Sequence, residues 1–434
     1  MTKKSHVIIV FLLLTALLPG CTGDTPAQIT EAFTQEVQET VEPTEIIEIP
    51  TEPPAEHPTE PQPEPPAEIL REGVKVLVSG VDNVISLCDG SHNTIKHIQK
   101  NDDVIIESET PFAALYLQWN KIPGDYMIRW EGGSCPAGEN GFLHEYIPLP
   151  EAVTRVEICL DGEEQRELCE VAVMTAGSPP EGIQVWLPPC DEADILVFPT
   201  HSDDDVLFFG PLITYYTIEK GLTVQTAFMV EHTFYPERGH ERLNGLWTMG
   251  VRNYPILGTA PDTGTTDYAE AVDYYWNSNI EQWQVENIRR FRPLVVVGHD
   301  LNGEYGNGGH KVNARRLVTA IDAAANPEMY PDSAEQYGLW DTPKFYLHLY
   351  EENEILIDVE TPLENDPQGR NLYEIAVEAF ECHVSQRPYF RVSYGELRCY
   401  DCRPFGLYRT LVGYDTAADI MENIDPELWR DKAR

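Results

Sequence analysis

The sequence predicts an α/β fold, a doubly wound and mostly parallel sheet, preceded by an all-β sandwich. Three observations predict it. Short alternating strand patterns fill residues 74–190, apolar runs such as 195–198 and 294–297 alternate with helical segments beyond them, and a Pro-, Thr- and Glu-rich stretch precedes both. Continuous apolar runs suit strands buried on both faces of a parallel sheet, whereas alternation suits strands with one solvated face.

At the start of the chain, Lys3 and Lys4 precede an apolar run, 7–18. That run is too short to span a bilayer and suits the core of a signal peptide. Leu18-Pro19-Gly20-Cys21 follows and resembles the lipobox of bacterial lipoproteins. Residues 1–20 are therefore expected to be a signal peptide and Cys21 to carry lipid, which places the protein extracytoplasmically, lipid-anchored to a bacterial membrane. The other reading, an ordinary cleaved signal, leaves a lone reactive thiol in an oxidising compartment, a liability. Residues 21–70 read as a tether, since recurring Pro, Thr and Glu bury too little apolar surface to offset their ordering entropy. The formal net charge is −42, and residues 22–70 supply Asp24 and eleven Glu with no Lys or Arg. The remainder is acidic in its own right. Such a surface repels nucleic acid and other polyanions, so neither is an expected partner.

Residues 71–190 are expected to form the sandwich. Strand patterns occur at 74–78, 103–107, 115–119 and 125–130, and those at 156–160 and 168–173 flank a turn-rich 161–164. Spacing of this kind suggests antiparallel pairing, and no catalytic cluster stands out within it. Beyond Cys21 the chain carries Cys88, Cys135, Cys159, Cys169, Cys190, Cys382, Cys399 and Cys402. The even number fits disulfides. Cys159 and Cys169, on opposite arms of the predicted hairpin, are the expected pair; the Cys399-x-x-Cys402 spacing reads as structural.

Residues 191–434 are expected to form the α/β domain. A buried strand at 195–198 is followed by a helix at 211–220, opened by Pro211 and stopped by Gly221. A strand at 223–230, a helix at 238–249, the end of another at 286–291, a strand at 294–297, a helix at 310–325 and a strand at 345–349 complete the alternation.

The chemistry gathers after two of these strands. The strand at 195–198 runs into Pro199-Thr200-His201-Ser202-Asp203-Asp204-Asp205. In open α/β sheets ligands bind beyond the carboxyl ends of strands. Clustered carboxylates repel one another unless a cation neutralises them. An acidic helix N-cap explains one or two of the acids but not His201. After 294–297, the loop 298–310 repeats the theme with His299, Asp300, Glu304 and His310 among glycines. A Gly-rich connection whose histidines merely pack is the plainer reading of that loop.

His-x-Asp-Asp-Asp joined to Gly303-Glu304-Tyr305-Gly306-Asn307-Gly308-Gly309-His310 resembles the LmbE/PIG-L de-N-acetylases. Arg238-Gly239-His240-Glu241, the stretch 245–252, the stretch 344–350 and Phe405-Gly406-Leu407-Tyr408 agree, so the resemblance covers roughly 194–415. It implies a Rossmann-like domain and a zinc-dependent hydrolase removing an acetyl group from an N-acetylated amino sugar or glycan. By position, His201, Asp204 and His310 would hold Zn2+, other divalent transition metals being able to share such ligands. Asp203 would be the general base, Tyr305 would stabilise the oxyanion and Arg238 would contact the sugar. Ser202 and Asp205 depart mildly from the family pattern. Asn307 departs more, because many members place there a His that assists the oxyanion or the leaving group, and Asn cannot act as an acid near neutral pH. His299 is a candidate substitute for it. The alternative is a catalytically decayed carbohydrate-binding surface lipoprotein, and a third reading is an amidase for non-sugar N-acyl compounds.

Overall fold

The computed structural model describes residues 65–160, 162, 164–232 and 234–431. The expected signal peptide, Cys21, most of the tether and part of the 161–164 turn lie outside the described residues. The described residues belong to one compact unit.

Its first part is antiparallel. The described strands are β1 (Ile69–Leu70), β2 (Val74–Val78), β3 (Val81–Asp82), β4 (Lys96–Ile98), β5 (Val104–Trp119), β6 (Tyr126–Trp130), β7 (Gly133–Ala137), β8 (His144–Leu160) and β9 (Arg166–Met174). A short helix, α1 (Val84–Leu87), interrupts them. Period-two burial along β2, where Val74, Val76 and Val78 turn inward, shows why alternation reads as strand. The ladders join into one nine-stranded set, ordered β1-β9-β5-β8-β6-β7 along its main path, rather than two separately bonded sheets. β5 and β8, 16 and 17 residues long, link its halves through register breaks near Phe112. Phe112, Trp119, Tyr126 and Ile158 centre its core.

The expected Cys159–Cys169 bridge does not form. β8 and β9 follow each other in the chain but bond to opposite sides of β5, so they are not hairpin partners. Cys159 instead stands opposite Met127 of β6. No disulfide joins the described cysteines.

The second part is α/β. Its seven-stranded sheet runs β12-β11-β10-β13-β14-β16-β15, with β10 (Ile195–Val197), β11 (Val224–Val230), β12 (Ile256–Ala260), β13 (Val295–Gly298), β14 (Lys344–His348), β15 (Ile355–Leu356) and β16 (Pro404–Thr410). The first five are parallel and β16 is antiparallel to β14. The mostly parallel expectation therefore holds for the centre of the sheet and not for that edge. Every residue of β10, β11, β13 and β14 is buried, as continuous apolar runs require.

Helices α2 (Asp204–Leu207), α3 (Gly210–Thr214), α4 (Glu237–Thr248), α5 (Tyr268–Tyr274), α6 (Ile280–Phe291), α7 (Gly308–Ala324), α8 (Pro331–Tyr337), α9 (Leu372–Glu381) and α10 (Pro426–Asp431) complete the described part. The helix expected at 211–220 is split, its second half widening into a π turn at Tyr215–Glu219. From β10 the chain builds outward through β11 and β12, then returns to place β13 on β10's other side. The loops after β10 and β13 therefore meet at a topological switch point, where α/β sheets bind ligands.

Candidate metal centre

The loop leaving β10 carries His201 and opens α2, whose first turn holds Asp204 and Asp205. Asp203 occupies the N-cap position but makes no side-chain cap bond. The acidic-cap reading therefore does not account for it. Asp204 is locked by its own loop, its Oδ2 accepting from the Thr200 amide at 3.2 Å and the His201 amide at 2.7 Å.

β13's loop delivers His310 to the same point. His201 Nδ1 lies 3.2 Å from Asp204 Oδ2 and 3.2 Å from His310 Nε2, which lies 3.2 Å from Asp204 Oδ1. Donors around one zinc-type ion, bonded at roughly 2.0–2.1 Å, stand about 3.3 Å apart in a tetrahedral arrangement. The triangle fits. The outer nitrogens of both rings are held by carboxylates: His310 Nδ1 is 2.7 Å from Glu304 Oε2, and His201 Nε2 is 3.4 Å from Asp262 Oδ1. Such partners keep the proton on the outer nitrogen and turn a lone pair inward. Burial alone would lower the His201 pKa, yet the Asp204 carboxylate beside it lifts it to about 9. A place that raises the basicity of buried histidines is one that favours positive charge.

Glu304 is the hub behind the triangle. Fully buried, it takes His299 Nδ1 at 2.8 Å and His310 Nδ1 on Oε2, and His348 Nδ1 at 2.7 Å and the Asp300 amide at 3.1 Å on Oε1. His299 Nε2 in turn accepts from the Thr200 amide at 2.9 Å. His299 is therefore a buried brace stacked on the His310 ring at 4.2 Å, with both nitrogens engaged away from Asn307. The structure does not place it as a substitute at that position.

Asp203, Arg238 and Asp262 form a neighbouring charged group. Arg238 Nη2 donates to Asp203 Oδ1 at 2.6 Å and its Nη1 lies 3.9 Å from Asp262 Oδ2. The arginine expected at a sugar is thus committed first to the candidate base. Burial pushes the Asp203 carboxyl up from its ordinary range against the pull of Arg238. His232, after β11, accepts from the Ser202 amide at 3.3 Å and faces Asp262 at 3.6 Å. Sequence reasoning missed Asp262, His232 and the role of Glu304; for the first two, the only signal was a polar residue just beyond a strand's carboxyl end. Neither Asp205 oxygen has a partner, and burial beside Asp203 holds its carboxyl well above the ordinary range.

Tyr305, its ring 5.4 Å from that of His310, and the buried Asn307 stand beside these donors. Tyr305 adopts φ 43° and stacks on Tyr400 at 5.6 Å with an 8° interplanar angle. Asn307 caps α7: its Oδ1 accepts from the Gly309 amide at 2.8 Å and the His310 amide at 3.2 Å, and its Nδ2 lies 3.4 Å from the Tyr305 hydroxyl. A histidine cannot cap with a carbonyl oxygen, so Asn here sets the first turn that carries His310. Asn307→Ala is expected to lower unfolding stability by about 1 kcal/mol, read in a denaturant melt.

No family model matches the chain. In sequence it is similar to 1D-myo-inositol 2-acetamido-2-deoxy-α-D-glucopyranoside deacetylase 1 of Catenulispora acidiphila, 26% identical over 35% of this chain and 54% of the relative. The 1D-myo-inositol 2-acetamido-2-deoxy-α-D-glucopyranoside deacetylase of Geodermatophilus obscurus is 37% identical over 35% of this chain and 60% of that protein. The chain thus spans little more than half the length of these curated relatives. Among solved structures, N,N'-diacetylchitobiose deacetylase from Pyrococcus horikoshii aligns at 16% identity over 46% of this chain and 72% of that one, with TM-score 0.33.

Proposed function

We propose that this protein is a zinc-dependent hydrolase that removes the acetyl group of an extracellular N-acetylated amino sugar or glycan. One observation carries the reading: His201 Nδ1 and His310 Nε2 lie 3.2 Å apart and each lies 3.2 Å from an oxygen of the Asp204 carboxylate, with carboxylates behind both rings. The names of the sequence relatives, deacetylases of an acetamido sugar conjugate, supply the substrate class. The lipid anchor and extracytoplasmic placement belong to the same proposal and rest on residues 18–21.

When bound, the ion supplies Lewis acidity and brings the pKa of a coordinated water to about 7. The chain's own residues do the rest. Asp203 takes the proton of the attacking water and returns it to the leaving amine. Arg238 orients Asp203 through the 2.6 Å bond and, with Asp262, offers charge to sugar hydroxyls. The Tyr305 hydroxyl, held near Asn307 Nδ2, donates toward the developing oxyanion. Asn307, whose departure from the family pattern motivates the decayed-lipoprotein reading, has a positioning role that leaves the donor set complete.

The test uses full-length protein, reloaded with zinc and desalted, beside His310→Ala. Wild type is expected to release acetate from at least one N-acetylated amino sugar. The variant is expected to hold one metal equivalent less and to release none. A wild type that holds the metal and binds glycans without releasing acetate supports the decayed reading instead. Equal metal content in the two proteins overturns the centre itself.

A further inference from the structure

Arg242, one turn along α4 from Arg238, is a buried cation without a counter-ion. It is 3% exposed, and among the described residues it makes one hydrogen bond, from Nη1 to Ser202 Oγ at 2.8 Å, and no ion pair. Its Nε is buried with no partner. Burial lowers its pKa to about 10, which leaves it charged near neutral pH. A charge taken out of water is unfavourable unless another group pairs with it. Asp205, in α2, has neither oxygen hydrogen-bonded and makes no ion pair with it.

The guanidinium lines a cavity of about 330 Å³ between the antiparallel part and the loops of the α/β part. Leu143, Pro236 and Leu257 form its sides, with Ile122, 63% exposed, at the outer end and the buried His232 and Arg242 at the inner end. His232 joins the cavity to the candidate metal centre: it accepts from the Ser202 amide at 3.3 Å and lies 3.6 Å from Asp262, which lies 3.4 Å from His201 Nε2. We propose that this cavity receives a carboxylate carried by the amino-sugar substrate on a short aliphatic stem, with Arg242 as its partner. The inference rests on the deacetylase reading and narrows its substrate to an acidic N-acetylated amino sugar, such as one bearing an ether-linked lactyl group.

The lining fits such a group at both ends. Apolar walls suit a methyl-bearing stem, and one well-placed polar group fixes orientation, as in most ligand cavities. Nη1 is taken by Ser202, so the edge formed by Nε and Nη2 is unused, and that edge matches the two oxygens of a carboxylate. Gly239 keeps the approach clear, since a Cβ there would stand 3.9 Å from Nη2. Lys121 and Glu231 also border the cavity, but Lys121 is bonded to Glu167 at 2.7 Å, which leaves Arg242 as the unmatched cation. A single carboxylate at a buried cation is compatible with an acidic surface, which disfavours polyanions. The competing account is that Arg242 and Asp205 balance each other across the interior and the cavity holds water alone.

The test titrates full-length, zinc-loaded protein with muramic acid, its carboxyl methyl ester and glucosamine. None carries an acetyl group, so binding is read without turnover. Muramic acid is expected to bind about tenfold tighter than the other two. Arg242→Met, which keeps much of the side chain's volume, is expected to bring the three to one affinity. Ile122→Glu, which sets a like charge at the exposed end and spares the interior, is expected to do the same and decides if Arg242→Met fails to fold. Equal affinities in wild type, or a preference that outlasts the deciding substitution, overturn the proposal. The deacetylase reading is scored separately, by acetate released from the N-acetylated forms. Release from both acidic and neutral sugars without discrimination in binding removes the carboxylate site and keeps the hydrolase; a preference for muramic acid with no release keeps the site and removes the hydrolase.

Discussion

Glu304→Gln is expected to weaken metal binding 10- to 100-fold and to lower unfolding stability by roughly 3–5 kcal/mol. The side chain is fully buried and each of its carboxylate oxygens takes two donors: the Nδ1 atoms of His299 and His310 on one, His348 Nδ1 and the Asp300 amide on the other. All acceptor positions are in use. Glutamine offers one oxygen and two N–H groups, so at least one imidazole N–H then faces another donor. Loss of the charge also removes what favours the outer-nitrogen tautomer of His310, and with it the lone pair facing Asp204. Competition with a chelator of known affinity measures the first effect, and a denaturant melt the second. Unchanged affinity would mean that the α7 backbone alone orients His310.

The triangle could be read from sequence because each of its parts is local. A continuous apolar run predicts a buried strand, the His-x-Asp-Asp loop follows at once, and a doubly wound order brings the ends of β10 and β13 side by side. What stood behind the triangle was not local. Glu304 lay within a quoted motif, but its third histidine, His348, is 44 residues away on β14. Asp262 and His232 follow β12 and β11 without a motif, and only packing of α4 against those loops brings Arg238 near them. Arg238 itself was expected at the sugar, yet no spacing rule foretells that its guanidinium reaches Asp203.

The antiparallel part was legible in its strands and not in their pairing. Alternation located β2, β5, β6, β8 and β9, but it does not say which strand lies between which. The hairpin assumed for Cys159 and Cys169 fails because β5 takes the place between β8 and β9. The same blindness hid the contact of His92, His144 and His240, whose members come from a loop, a strand and a helix.

Asp203→Asn is expected to keep the metal and to reduce kcat for acetate release by about 10²- to 10⁴-fold. The substitution is close to isosteric, and its amide oxygen can still accept from Arg238, so the group around Asp203 should persist. None of the three candidate metal donors, His201, Asp204 and His310, changes. What disappears is the capacity to take a proton. Burial raises the Asp203 carboxyl above its ordinary range even with Arg238 against it, which brings the base closer to its working pH. The sign of the pH effect follows: only the ionised form accepts a proton, so wild-type kcat should fall as pH drops through that raised pKa. In the variant this acid limb should be gone from the residual rate. Arg238→Ala provides the contrast, since an arginine that both contacts sugar and holds the base should raise KM and lower kcat together. A full-rate Asp203→Asn enzyme with its metal in place would reduce Asp203 to an anchor for Arg238 and assign the proton to another group.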